Sequence, residues 1–437
     1  MIKTARQVAL ETLIKVFESQ GYSNLSLNSA LSKNKLSVKD QNLVTELVYG
    51  TIQYQLYLDY QLTGLVKTKL KDRYLRPLLL MSLYQLIFLD KIPNRAVLDE
   101  ANKLAKIMGR KNSSAFRLVN GILRSFIRRG AILPPKEPLN KYLSIKESMP
   151  LWLTDYLLNH WGSKRTEKIL TSLNQRSKNC IRINQNASKP QVLNELQKLK
   201  INYEESSLSP SCYFVDKPIM KTDLFKSGQV TIQDEAASLV ASCFDYHEND
   251  EILDACAAPG GKSMQMAENL TSGHVTCLDI HEHKLKLVKN YATRMKLSNK
   301  IKTKAVDARK ASTYFSEGQF DKILVDAPCS GLGLLRRKPE IRYLKTMDDI
   351  KNLAKIQLKI LNSVALLLKK NGELVYSTCS ITVEENEAVI AEFLKQNPKF
   401  EIQAINLPKI SSKAGLKILP DTYQSDGFYI AKMKLRG

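Results

Sequence analysis

The sequence predicts an α/β fold over its C-terminal half, a doubly wound parallel sheet, preceded by an all-helical domain and a small α+β module. Three observations predict it. From Asp250 onward, short Val/Ile/Leu-rich runs alternate with helical periodicity, the pattern of successive βαβ units. The first ~130 residues hold no alternating Val/Thr-rich run and few glycines, and read as helix nearly throughout. Between the two patterns stand Pro134, Pro135 and Pro138, which stop helix and favour an extended spacer. The expected division is residues 1–132 helical, 133–149 linker, 150–245 the α+β module and 246–437 the α/β domain.

The helical elements follow from spacing. Arg6 to Glu11 opens an apolar face, and Asp40 is placed to cap a helix that carries Leu43, Val44, Leu47 and Val48. Leu78–Leu89 is too short to span a bilayer and suits a buried core helix. Pro93-Asn94 breaks it, and Ala96–Met108 resumes. Arg117–Arg129 is a further helix whose Arg117, Arg124, Arg128 and Arg129 form either a solvated basic face or a phosphate-binding one. In the module, 179–186 and 211–217 read as strands, 190–200 as a helix, and the run after Gly228 as strand into helix. Beyond Asp250, strands are expected at 251–254, 274–280, 301–308, 321–327 and 373–379, with helices after 261 and at 283–297, 348–369 and 383–396. The tail, 400–407 and 427–435, adds two strands. Ligands of such a sheet bind outside the C-terminal ends of its strands.

Composition narrows the function classes. The chain has 437 residues, 66 Lys+Arg against 43 Asp+Glu, and a net charge of +23, which favours a polyanionic partner such as nucleic acid. No apolar run approaches the ~20 residues of a membrane span. The start, a helix with no signal-peptide core, fits no export signal. The seven cysteines are odd in number, form no CxxC pair and all lie at or beyond Cys180, so a disulfide framework and a zinc ribbon are disfavoured. A monomer in a reducing cytoplasm, with no membrane partner, is expected.

The segment Asp254-Ala255-Cys256-Ala257-Ala258-Pro259-Gly260-Gly261-Lys262 sits where a strand meets a helix. A P-loop is rejected, because Cys256 takes the place of its first glycine. Gly260 and Gly261 allow a nucleoside to approach the backbone closely. Asp279 ends the next strand, 18 residues after Gly261 and near the ~20 expected of a ribose-binding acid. Asp307 ends the third strand, where it can reach an adenine edge. The dinucleotide fingerprint G-x-G-x-x-G is absent, so S-adenosylmethionine fits better than NAD or ATP.

Asp326-Ala-Pro-Cys329-Ser-Gly331 ends the fourth strand and Ser377-Thr-Cys379-Ser380 the fifth, so both thiols should face the same crevice. Packing accounts for Cys180, Cys212, Cys243 and Cys277. It does not account for two cysteines in loops at strand ends. Methylation at C5 of cytosine needs a thiolate to add to C6, which makes C5 nucleophilic. Amino-group methylation needs no thiol, and its usual Pro-Pro-aromatic sequence is absent, Cys329 standing in the aromatic place.

Asp254–Lys262, Asp326–Gly331 and Ser377–Ser380 resemble the signatures of the Nol1/Nop2/Sun family of RNA cytosine-5 methyltransferases, whose catalytic domain is a Rossmann-like class I methyltransferase fold. Asp40–Tyr54 and Arg95–Arg124 resemble the RNA-binding NusB family. Their fusion is similar to the Sun/Fmu type, which methylates C5 of cytosine in 16S rRNA. The resemblance covers essentially the whole chain. It implies Cys379 as nucleophile and Cys329 as the residue of product release, an order that spacing alone leaves open. It implies cofactor contacts from Cys256, Ala257, Ala258, Pro259, Gly260, Gly261, Lys262, Asp279, Asp307 and Asp326. It implies S-adenosylmethionine as cosubstrate and 16S rRNA, free or in an early assembly intermediate, as partner. The family's Arg-Arg-His-Pro-Asp segment stands here as Arg336-Arg337-Lys338-Pro339-Glu340, without the imidazole. Gln233-Asp234-Glu235 matches a structural segment near the active site. Arg182 and Asn184 are candidates for RNA contact. Cys277, His281 and His283 are expected to be strand and helix-surface residues, and no metal is expected. The alternatives are the same chemistry on tRNA or 23S rRNA, or a non-catalytic RNA-binding assembly factor.

Overall fold

The structure is a computed structural model that describes residues 3–19, 23–67, 69–110 and 114–437. The first two residues of the opening helix segment, and Lys111–Ser113 within the NusB-like stretch, lie outside the described residues. The chain divides into two compact units, Met1–Gln175 with Leu335–Leu344, and Arg176–Leu334 with Lys345–Gly437. Among the described residues no helix is long and apolar enough to cross a membrane.

The first unit is helical, with helices Ala5–Ser19, Ser23–Lys33, Val38–Gln53, Gln55–Leu62, Leu75–Phe88, Asn94–Met108, Ala115–Arg129, Leu139–Lys146 and Leu151–Leu173. Leu75–Phe88 is apolar all round and occupies the centre, with Leu78, Leu79, Leu80 and Leu83 fully buried. The cap of Val38–Gln53 is Ser37, not Asp40. Ser37 has the extended backbone a cap requires, and its hydroxyl accepts from the Asp40 amide. Asp40 already lies inside the first turn, where its charge favours the helix N-terminus. The proline-rich stretch is extended only as far as Pro138, which begins the helix Leu139–Lys146 because a missing N–H costs nothing at a helix start. Arg129 is taken out of the basic face by hydrogen bonds from its guanidinium to the Gln61 and Thr63 carbonyls. Arg117, Arg124 and Arg128 stay exposed.

The segment Leu335–Leu344 belongs to this unit although it interrupts the other in sequence. The Glu340 carboxylate accepts from the Ser23 amide and hydroxyl, at 3.1 and 2.7 Å. Arg336 donates to the Ser172 carbonyl at 2.8 Å. Arg342 is fully buried and donates to Asn174 Oδ1 at 2.9 Å. Arg336 and Glu340 of the Arg-Arg-Lys-Pro-Glu sequence are thus engaged in packing within the helical unit.

The second unit begins with a small antiparallel sheet of β1 (Asn179–Ile183), β2 (Tyr203–Glu205), β3 (Cys212–Val215) and β4 (Val230–Ile232), in the order β2-β3-β1-β4. One face packs Ile181, Ile183, Tyr213 and Val215 against Val192 and Leu196 of the helix Lys189–Lys198. The other is covered as well, and this corrects the reading of Arg182 and Asn184 as RNA contacts. Arg182 is 2% exposed; its guanidinium forms a bidentate pair with Glu268, at 2.7 and 2.9 Å, while its Nε donates to Gln233. Asn184 is 1% exposed and donates to the Gly228 carbonyl. Polar residues alternating along a strand mark a wet face only if nothing packs on it.

The large sheet contains β5 (Glu251–Asp254), β6 (His274–Asp279), β7 (Ile301–Ala305), β8 (Phe320–Asp326), β9 (Leu368–Thr378) and β10 (Phe400–Gln403). A hairpin of β11 (Ile405–Leu407) and β12 (Ile410–Ser412) follows, then β13 (Leu416–Ile418) and β14 (Phe428–Leu435). The order is β10-β14-β9-β8-β5-β6-β7, with β13 also on β14. The sheet is parallel from β7 to β9, as expected, but β14 runs antiparallel between β9 and β10. A parallel placement needs a crossover of a dozen or more residues, usually helical; the chain returns to β14 through a hairpin and one short helical turn, Pro420–Tyr423. Both faces are covered. Leu285 and Val288 of Glu282–Arg294 pack with Ile252, Val275 and Leu324 on one side, and Ile360, Leu361 and Val364 of Met347–Ala365 with Leu253, Leu278 and Val325 on the other. Because β6 and β8 flank β5 on opposite sides, the chain reverses direction there and leaves a crevice at the strands' C-terminal ends.

Candidate active site

A cavity of about 490 Å³ fills that crevice. Its lining includes Cys256, Ala258, Asp279, Asp307, Asp326, Cys329 and Cys379, which are drawn from the ends of β5, β6, β7, β8 and β9. Ile280, Ile356 and Ile360 supply apolar wall. The remaining loop residues serve it indirectly. The Ala257 amide donates to the Leu278 carbonyl and ties the loop to β6. Pro259 faces a separate surface recess with Tyr291 and Arg294. Gly260 has φ +112°, a left-handed backbone open to glycine, and from it the helix Gly261–Ala267 starts. Lys262 reaches back to Asp326, Nζ to Oδ2 at 2.8 Å, and Ser377 donates to the other carboxylate oxygen at 2.7 Å. Burial opposes the charge on Lys262, but the Asp326 carboxylate outweighs it and holds the ammonium above its usual range.

The carboxylates of Asp279, Asp307 and Asp326 line the cavity together with Lys284 and Arg309. Burial pushes the Cys256 thiol well up, and the charges of Asp254, Asp326, Asp279 and Asp307 add to that push. Burial opposes charge of either sign, but the four carboxylates favour a cation over an anion, and a sulfonium nucleoside that also carries an ammonium group matches this acid set. Asp307 is held down by its hydrogen bonds with Arg309, and Asp279 accepts from the His281 amide.

Asp254, under the loop, is pushed up to about 7 by burial; the Ser263 hydroxyl works against the shift and the Asp326 charge with it. A carboxyl that binds its proton more tightly folded than unfolded makes stability fall as pH climbs from about 4 toward 7. Asp254→Asn is therefore expected to flatten the decline of thermal midpoint with pH across that window relative to wild type.

The thiols meet. Cys329 Sγ and Cys379 Sγ are 3.2 Å apart, unbonded and half-buried. The hydrogen bond with Cys379, burial, and the charges of Cys379 and Glu385 all hold the Cys329 proton on. The two loops interlock through backbone as well. The Gly333 amide donates to the Cys379 carbonyl at 2.9 Å, and a Cβ on Gly333 would lie 2.0 Å from the Gly427 carbonyl oxygen.

The expected cysteines of packing, Cys180, Cys212, Cys243 and Cys277, are all buried. His281 and His283 stack near each other at 5.4 Å, and among the described residues no group of His, Cys, Asp or Glu is arranged to hold a metal ion. Sequence reasoning missed Gln357, Glu385 and Asn386, which are buried beneath the thiol loops. Residues 383–396 read as one helix, yet the helix begins at Glu387. The Glu-Glu-Asn run so soon after Thr378-Cys379-Ser380 was the available signal.

Residues 241–434 match the family described as 16S rRNA methyltransferase RsmB/F, residues 3–128 the NusB family, and residues 149–221 the ferredoxin-like domain of RsmF/B-like methyltransferases. The chain is 42% identical over 451 residues, all of both chains, to the Bacillus subtilis protein named "Probable ribosomal RNA small subunit methyltransferase B". The chain belongs to the RsmB/F family of rRNA methyltransferases. Ribosomal RNA small subunit methyltransferase B of Proteus mirabilis is 34% identical over 98% of this chain and 97% of its own. Among solved structures, that of PH0851 is similar with a TM-score of 0.83, 25% identity and 99% of each chain covered. RsmB/F membership makes the chain an S-adenosylmethionine-dependent methyltransferase with a NusB-type helical domain, and it identifies the small sheet as part of the ferredoxin-like module.

Proposed function

We propose that this chain transfers a methyl group from S-adenosylmethionine to C5 of a specific cytosine in small-subunit (16S) rRNA, through a covalent bond between Cys379 and cytosine C6. The observation that carries the reading is the pair of thiols 3.2 Å apart on the wall of an acid-lined cavity. Full-length relatives named for methylation of small-subunit rRNA support the substrate. Asp279, Asp307, Asp326 and the loop Cys256–Lys262 hold the cosubstrate. When bound, it supplies an electrophilic methyl group that cytosine C5 accepts.

The chain's own residues do the rest. The target base leaves its stack to reach the thiols. The Cys379 thiolate adds to C6, and C5 gains enamine character. After methylation Cys329 takes the C5 proton, the C5–C6 double bond re-forms and Cys379 departs as thiolate. Cys329 is suited to this order. In the free protein its hydrogen bond to Cys379, burial and the Cys379 charge favour the thiol form of Cys329. Once the Cys379 sulfur is bonded to carbon, its charge no longer opposes ionisation of Cys329, which releases its own proton to solvent and stands as the thiolate base at the step that needs one.

The test is transfer of labelled methyl from S-adenosylmethionine to deproteinised small-subunit rRNA, followed by nucleoside analysis. Label in 5-methylcytidine is expected. Label in any other nucleoside refutes the thiol mechanism. No label, with the RNA bound, moves the substrate to another RNA or an assembled particle.

A further inference from the structure

Beneath the thiol loops, the Glu385 carboxylate is fully buried and bonded on both sides. Oε1 accepts from the Ser330 amide at 2.6 Å and from Gln357 Nε2 at 3.2 Å. The hydroxyls of Ser330, Ser380 and Thr382 converge on Oε2 at 2.5, 2.6 and 2.9 Å. Ser330 follows Cys329 and Ser380 follows Cys379. One side chain is therefore bonded to the immediate neighbour of each thiol.

The surroundings fix the staple in turn. Gln357 also donates to the Pro328 carbonyl at 3.0 Å, and Tyr376 donates to the Glu385 carbonyl at 2.5 Å. Asn386 donates to the Ser380 carbonyl at 3.1 Å. Among the described residues no ammonium or guanidinium is bonded to Glu385. A carboxylate stripped of water is tolerable where hydrogen bonds satisfy its lone pairs, and charge-assisted bonds of this kind are stronger than neutral ones.

We propose that Glu385 is the positioning residue of the thiol pair: its buried carboxylate staples the Cys329 loop to the Cys379 loop and sets the spacing and proton distribution of the two sulfurs. The inference rests on the two-thiol reading above. Its negative charge adds to the forces that keep Cys329 protonated. The titratable groups that face Cys329 are Cys379, Glu385 and, from β9, Tyr376. Of these Glu385 and Tyr376 lie outside the cavity lining, and Glu385 is the one bonded to the neighbours of both thiols.

Glu385→Gln keeps the shape and removes the charge. Glu385→Asp keeps the charge and shortens the reach. Alkylation of Cys329, followed by peptide mapping against pH on the whole protein without RNA, reads the thiol directly. Glu385→Gln is expected to move that profile to lower pH by on the order of one unit, and to lower kcat about tenfold or more with KM for S-adenosylmethionine unchanged. Glu385→Asp is expected to keep the alkylation profile near wild type while kcat still falls, and it carries the test if the Gln variant does not fold. An unmoved profile in Glu385→Gln, an unmoved kcat in both variants, or a kcat loss that only tracks the folded fraction overturns the proposal. Wild-type protein that places the label in a nucleoside other than 5-methylcytidine defeats the two-thiol reading instead, and the alkylation profile still decides the role of Glu385.

Discussion

Cys379→Ala is expected to reduce methyl transfer to background and to leave no covalent protein–RNA species, whereas Cys329→Ala is expected to stop turnover and accumulate an RNA–protein adduct that survives denaturation. The asymmetry follows from the order of bond making. Without Cys379 no sulfur adds to C6, C5 stays a poor nucleophile, and the loss spans several orders of magnitude, as for other enzymes stripped of a nucleophile. Without Cys329 the addition still proceeds, but no thiol 3.2 Å from the nucleophile removes the C5 proton, so elimination stalls. A denaturing gel of protein incubated with labelled rRNA and S-adenosylmethionine, read beside a count of transferred methyl groups, separates the cases. An adduct in Cys379→Ala and none in Cys329→Ala would exchange the two roles.

Arg182→Ala is expected to lower the stability of the second unit by about 3–5 kcal/mol, since removing one partner strands the other charge away from water. The Arg182 and Glu268 side chains are each 3% exposed, and the pair is bidentate. Glu268 closes the helix that begins at Gly261, so the ion pair anchors the far end of the helix whose near end forms the cofactor loop. Arg182→Lys is expected to recover only part of the loss, because an ammonium offers no planar fork. Trp152 and Trp161 both lie in the helical unit, so urea unfolding of the second unit is better followed by far-UV circular dichroism than by tryptophan fluorescence. A surface RNA contact behaves otherwise: weaker rRNA binding with the urea midpoint unmoved.

That contrast shows where sequence is a good guide and where it is not. The cofactor loop, Asp279, Asp307, Asp326 and both thiols were legible as a group, because in a doubly wound sheet the strand C-terminal ends converge whatever the loops between them do. Their chemistry is local too, written into Asp254–Lys262 and the two cysteine loops. Arg182 misled because β1 is an inner strand of its sheet, with packing on both faces, and alternation carries no information about what covers the second face. Glu385 and Gly333 were missed for a related reason. Their partners, Ser330 for one and the Gly427 carbonyl for the other, lie 55 residues and many strands' length away along the chain, and only tertiary closure gives a common acid or a common glycine its meaning. The direction of β14 was hidden because a strand's composition does not record which way it runs.

β14 has a consequence for the order of events during synthesis. β9, the strand that leads into Cys379, is paired on one side by β8 and on the other by β14, from Tyr429↔Thr378 to Lys434↔Glu373. While the ribosome is still short of Phe428, β9 is an open edge, with unpaired amides and carbonyls next to the nucleophile's loop. A chain that stops before Phe428 therefore keeps both thiols and the acid set but lacks the strand that pairs with β9 beside the Cys379 loop. Chains cut short before β14 should be inert and prone to pair edge to edge.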